Sequence, residues 1–196
     1  MNETLNERQK SGRRTFLLIN FMFFAPLAAA IFLYFSGLNW APEAGTEHGV
    51  LLLPPATIPD ITLAEAAGAE KRKRMRGVWT MLYVGPGECS GICKQRLTEL
   101  RQMRLTFGPD INRIQNVFLS TGGSIDKSYM TIEHPKLYVI GATTGAEAAG
   151  LIEDVEPGAV YVVDPQGNIM MRFNADEDIA NIRKDLKKLL KLSRIG

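Results

Sequence analysis

The chain has 196 residues, 45% hydrophobic and 22% charged, with 23 Lys and Arg against 21 Asp and Glu. That size suits one globular domain plus an additional segment. A net charge of +2 is too small to hold nucleic acid, and two cysteines with two histidines lack the ligand spacing of a structural zinc framework.

The additional segment comes first. No charged residue lies between Thr15 and Pro42, and Phe16 to Phe35 ("FLLINFMFFAPLAAAIFLYF") is almost wholly apolar. About 20 such residues suffice for a bilayer-spanning helix, and a proline such as Pro26 is tolerated there. Residues 15–36 therefore read as a membrane anchor. Arg8, Lys10, Arg13 and Arg14 precede it, whereas Glu43 and Glu47 follow without Lys or Arg. The positive-inside bias then assigns residues 1–14 to the cytoplasm and the rest to the far side, in a bacterium the periplasmic face of the inner membrane. Ala28-Ala29-Ala30 resembles a signal cleavage site, but the apolar run continues past it.

Residues 37–58, punctuated by glycines and by Pro54-Pro55, read as a tether, with "GVLLLPP" able to form a short strand. Residues 59–196 form the exported domain. Ile61 to Leu63 starts a small strand. Lys71 to Arg76 ("KRKRMR") reads as a solvated turn, with anionic lipid or an acidic partner as its functional alternative. Gly77 to Val84 ("GVWTMLYV") is apolar throughout, the pattern of a strand buried on both faces.

Cys93, Leu97, Leu100, Met103 and Phe107 follow at helical spacing, and Gly108-Pro109 marks a stop. Ile114 to Ser120 and Leu137 to Ile140 are further strands, and a short helix fits around Thr144 to Leu151. Ala159 to Val163 and Ile169 to Phe173 flank the turn Asp164-Pro165-Gln166-Gly167 as a hairpin. Asp176 to Asp178 open a closing helix whose buried stripe is Ile179, Ile182, Leu186 and Leu189. The order implies an α/β domain, a central mixed sheet flanked by helices with a parallel β-α-β core.

Both cysteines lie in "GPGECSGICK" (85–94), Cys89 in the loop after the first buried strand and Cys93 opening the helix. Residues four apart on one turn have Cα atoms about 6 Å apart, which a disulfide accepts. Reduced, the same pair could clamp Cu(I), which prefers thiolates. The helix N-terminus favours thiolate in either case, and closing so short a loop would stabilise the fold little. Cys89, on the loop, is the expected attacking thiol and Cys93 the resolving one.

The residues Gly77-Val78-Trp79-Thr80, followed ten positions after Trp79 by Cys89 of Cys89-x-x-x-Cys93, resemble the Sco/SenC family of membrane-anchored, thioredoxin-like cytochrome c oxidase assembly proteins. "HPKLYVIGATTG" and "AVYVVDPQGNIMMRF" resemble two further segments of that family. The resemblance spans roughly residues 50–190. It implies a thioredoxin-like fold and a role in maturing the oxidase copper site, by thiol–disulfide exchange or by Cu(I) delivery, with an oxidase subunit or another assembly factor as partner. A non-catalytic scaffold is the third alternative.

The family's copper site adds a histidine to the two cysteines, and the matching position, five before Tyr161, is Glu156. The chain thus reads as a divergent member, with Cys89 and Cys93 as metal ligands and Glu156 as a hard oxygen donor in place of imidazole. His134 matches a histidine that is not a ligand. Pro157 occupies a pre-strand position comparable to the cis-proline of thioredoxin-like oxidoreductases.

Overall fold

The computed structural model describes residues 2–36, 47–66, 68–141, 152 and 155–193. Two units separate between Gly45 and Thr46. The first contains helix α1 (Asn2–Phe35), with Pro26 inside it. Its 23-residue stretch Arg13–Phe35 contains an 18-residue window with a mean hydropathy of 2.3. At 1.5 Å per residue it extends about 35 Å, enough by length and composition to cross a ~30 Å hydrocarbon core.

The second unit is built on one mixed sheet of eight strands. In chain order these are β1 (Val50–Thr57), β2 (Thr62–Glu65), β3 (Gly68–Arg74) and β4 (Trp79–Gly85). Helix α2 (Gly91–Leu105) and a 3-10 turn (Gly108–Arg113) lead to β5 (Ile114–Ser120). Helix α3 (Lys127–Glu133) precedes β6 (Tyr138–Ile140), and the hairpin β7 (Val160–Val163) and β8 (Asn168–Phe173) leads to helix α4 (Ile179–Leu192).

The strand order is β1-β8-β7-β4-β5-β6-β2-β3. β4 lies parallel to β5 and antiparallel to β7, and β5 is parallel to β6. Every residue of β4 and of β5 is buried, as two-sided apolar strands at a sheet centre require. One face carries Met81, Tyr83, Ile114, Phe118, Val160 and Val162 beneath α2 and α4. The other carries Leu82, Val84, Val117, Leu119, Tyr161 and Val163 against Ile58, Leu63 and Met75.

The helices follow their sequence signals. Cys93, Leu97, Leu100 and Met103 are the buried stripe of α2. Asp178 caps α4 by accepting from the Ala180 N–H, and Ile182, Leu186 and Leu190 face the sheet.

Three segments differ from expectation. Val50–Thr57 pairs with β8 as an edge strand, so the sheet begins inside the stretch read as tether. The basic run supplies most of β3, antiparallel to β2, at the other edge. A Lys/Arg-rich edge strand discourages pairing with another chain, which accounts for its lack of apolar periodicity. Helix α3 was not anticipated. The helix expected around Thr144 to Leu151 falls outside the described residues.

Candidate dithiol site

The polypeptide leaves β4 at Gly85 and enters a tight turn, in which the Cys89 N–H donates to the Pro86 carbonyl at 3.1 Å. Cys89 has φ +40°, a left-handed conformation that costs a non-glycine residue about 1 kcal/mol or more. Gly87 allows the turn to lie on the loop after β5. Its N–H donates to the Gly122 carbonyl at 2.7 Å, and a Cβ there would sit 2.9 Å from the carbonyl oxygens of Gly122 and Gly123.

Cys89 and Cys93 are joined in a disulfide, with Cα atoms 5.1 Å apart. Both are buried, Cys89 at 1% and Cys93 at 3% exposure, so access does not separate an attacking from a resolving sulfur. They belong to the α2-facing core with Trp79, Met81 and Tyr83. Pro86, Glu88, Ser90, Gly91 and Ile92 around them are exposed.

The start of α2 favours a thiolate when the bond is reduced, and the burial of both sulfurs opposes it. Ser90 occupies the N-cap of α2 without a side-chain cap bond, and the first turn contains no acidic residue. The helix therefore presents uncapped N–H groups and the positive end of its dipole to Cys93. Lys94 is engaged elsewhere, its Nζ 4.4 Å from the Tyr129 ring centre and 3.9 Å from Asp126. Burial raises the Tyr83 hydroxyl pKa, with Arg96 acting in the opposite sense, so this core phenol stays protonated at neutral pH.

The 156–159 segment sits at the same sheet end, since the Gly158 N–H donates to the Val84 carbonyl and the Val84 N–H to that of Ala159. Glu156, however, faces away. Its carboxylate lies 3.8 Å from Arg172, and its N–H donates to the Tyr161 hydroxyl at 3.0 Å. Tyr161 belongs to the core on the sheet face opposite the cysteines, and Arg172 is its cross-strand partner. Among the described residues no group of three or more His, Cys, Asp and Glu side chains could hold a metal ion. As placed, Glu156 does not join Cys89 and Cys93 in a three-ligand group.

Pro157 departs from its expectation, whereas His134 is the packed histidine expected. The peptide before Pro157 is trans, and the cis bond among the described residues precedes Pro54 in β1. His134 is buried, with its Nε2 3.1 Å from the Tyr129 hydroxyl. Burial, with Arg101 nearby, lowers its pKa against the pull of Glu133, so the imidazole is neutral at pH 7. The Tyr129 hydroxyl also lies 3.4 Å from the Lys94 carbonyl of α2.

A mixed sheet under two helices, with a cysteine pair between its central strand and the next helix, defines a thioredoxin-fold domain, here in a chain with an N-terminal helix long and apolar enough to span a bilayer. The family model of the transmembrane-like, thioredoxin-like, C-terminal domain matches residues 79–193, and the chain belongs to that family. Among solved structures, the apo Sco1 protein of Thermus thermophilus is similar at a TM-score of 0.56 and 22% identity, over 75% of this chain and 99% of that one. Yeast Sco1 with copper bound matches at 0.56 and 18%, over 71% and 95%. BsSco, described as a Sco-family cytochrome c oxidase assembly protein with a disulfide switch, matches at 0.53 and 11%, over 75% and 98%. At these identities the likeness is one of fold. No curated protein matches the sequence.

Proposed function

We propose that this chain is a membrane-anchored thiol–disulfide exchange protein that acts on the periplasmic side of the bacterial inner membrane during cytochrome oxidase assembly. The observation that carries the reading is the Cys89–Cys93 disulfide at the junction of the central strand and α2. The Sco-like fold, and the oxidase-assembly role named for BsSco, support the biological setting.

In the reduced protein, the Cys89 thiolate attacks one sulfur of a substrate disulfide and forms a mixed disulfide. The displaced substrate sulfur leaves as a thiolate and takes a proton. The Cys93 thiolate then attacks the Cys89 sulfur, closing the internal disulfide and releasing the second substrate thiol. Two electrons and two protons pass from the pair to the substrate, and a dithiol reductant in the same compartment resets it. Cys89 is assigned the attack because it lies in the turn ahead of α2, whereas Cys93 belongs to the buried stripe of that helix.

The trapping variant Cys93→Ser tests this assignment in cells. It should accumulate a mixed disulfide through Cys89, and the double variant Cys89→Ser, Cys93→Ser should lose oxidase maturation. Full activity of the double variant would leave only a scaffold role. Orientation is tested by a periplasm-dependent reporter fused after residue 193, which should be active.

A further inference from the structure

A cavity lies on the α2 side of the sheet, away from the cysteines. It has a volume of about 300 Å³ and is bounded by the last turns of α2, by β5 and by the segment 134–137. That volume is at the lower end of the range for small-molecule pockets. Arg101 follows Cys93 by eight residues, so the cavity begins about 12 Å further along the helix axis.

Its chemistry is one-sided. Arg101, Arg104 and Lys136 line it, no Asp or Glu does, and Leu105, Pro135 and Leu137 supply apolar wall. The guanidinium groups are fixed in place. Arg104 donates through Nε to the Ile114 carbonyl at 2.7 Å and through Nη2 to that of Ile111 at 2.9 Å, and Arg101 donates through Nη1 to the Glu133 carbonyl. Each retains further N–H donors, so an incoming anion would meet cations that have already lost much of their rotamer freedom.

The sheet side of the cavity holds an anomaly. Asn116 is only 8% exposed, and its carboxamide oxygen has no hydrogen-bond partner among the described residues. It occupies β5 between Ile114 and Phe118, on the same face as both, where an aliphatic residue would pack without cost. A buried acceptor left unpaired costs about 1–3 kcal/mol, and because this oxygen is shielded in the observed rotamer an external donor reaches it only if the amide turns. Its terminal torsion is soft enough to turn toward one.

We propose that this cavity is a binding site for a small organic carboxylate with an apolar ring and a hydrogen-bond donor at its far end. The carboxylate meets Arg101, Arg104 and Lys136, the ring lies against Leu105 and Leu137, and the donor satisfies Asn116. The site is separate from the dithiol chemistry, and its occupancy does not depend on the redox reading.

Fluorine NMR on the full chain in phospholipid nanodiscs, with empty nanodiscs as reference, tests this with three probes. 3-Fluoro-4-hydroxybenzoate should bind. 3-Fluorobenzoate, which lacks the donor, and 3-fluoro-4-hydroxybenzyl alcohol, which lacks the charge, should each bind roughly tenfold more weakly, the loss expected for one charge-assisted or buried hydrogen bond. Asn116→Leu should make the two carboxylates bind alike. The exposed-site variant Lys136→Glu, which leaves the core untouched, should weaken both carboxylates and not the alcohol. No binding above empty nanodiscs at millimolar probe, equal binding of the alcohol and the hydroxybenzoate, or unchanged affinities in both variants would overturn the proposal.

Discussion

Glu156 and Arg172 pair at 3.8 Å on the sheet face opposite the two cysteines, with the Glu156 N–H tied to the Tyr161 hydroxyl at 3.0 Å. The position that the resemblance to Sco/SenC proteins gives to a third copper ligand is thus paired with Arg172. Carboxylate is in any case a poor donor to Cu(I). Anaerobic titration of the reduced protein should show no tightly held equivalent of Cu(I) against a moderate chelator, and Glu156→Ala should change nothing. Retention of one equivalent that Glu156→Ala abolishes would reinstate copper carriage.

The entry to the domain is fastened by a buried carboxylate. Asp185, 1% exposed on α4, accepts from the His48 N–H at 2.5 Å and the Gly49 N–H at 3.1 Å, and its other oxygen lies 3.1 Å from His48 Nδ1. Burial raises its pKa, but the bonds from His48 and Gly49 outweigh that and leave it below the usual carboxylate value. A depressed folded-state pKa means that the stabilisation is complete above the unfolded carboxylate pKa of about 3.9 and is lost as pH falls through the folded value. Melting temperature should therefore show an Asp185-dependent decline below about pH 4, absent in Asp185→Asn. That variant should cost roughly 1–3 kcal/mol at neutral pH.

Gly87 is a steric requirement of the thiol turn. A methyl there would press against the carbonyl oxygens of Gly122 and Gly123, which are backbone atoms and cannot rotate away. Gly87→Ala should destabilise the oxidised protein by about 1–3 kcal/mol, the usual cost of overpacking, in urea unfolding. Gly91→Ala, where a Cβ meets nothing within 4 Å, is the matched control and should be near neutral.

The parts of this fold that repeat a period were legible in the sequence. The runs that became β4 and β5, the α2 stripe from Cys93 to Met103, and the hairpin around Asp164 to Gly167 each show a single unambiguous pattern. Helix α3 was not, since its seven residues bury only Met130 and its one clear signal is the Asp126 cap on the Tyr129 N–H. β3 was hidden because its composition is that of an exposed loop. The cysteine pair was legible by spacing, but their depth was not, nor was the direction of Glu156. Both depend on which sheet face a loop residue turns to, and nothing local encodes that. Asn116 reads as one polar residue in an apolar strand until the cavity beside it is seen.

The central claim is that Cys89 and Cys93 form a working redox couple rather than a fixed staple. Equilibrating the full chain with dithiol redox buffers and counting free thiols by mass-tagging measures it directly. The account predicts a reversible two-electron transition with a midpoint between about −120 and −270 mV, the range of known thioredoxin-fold oxidoreductases. A pair still oxidised below about −300 mV, as structural disulfides are, would contradict it.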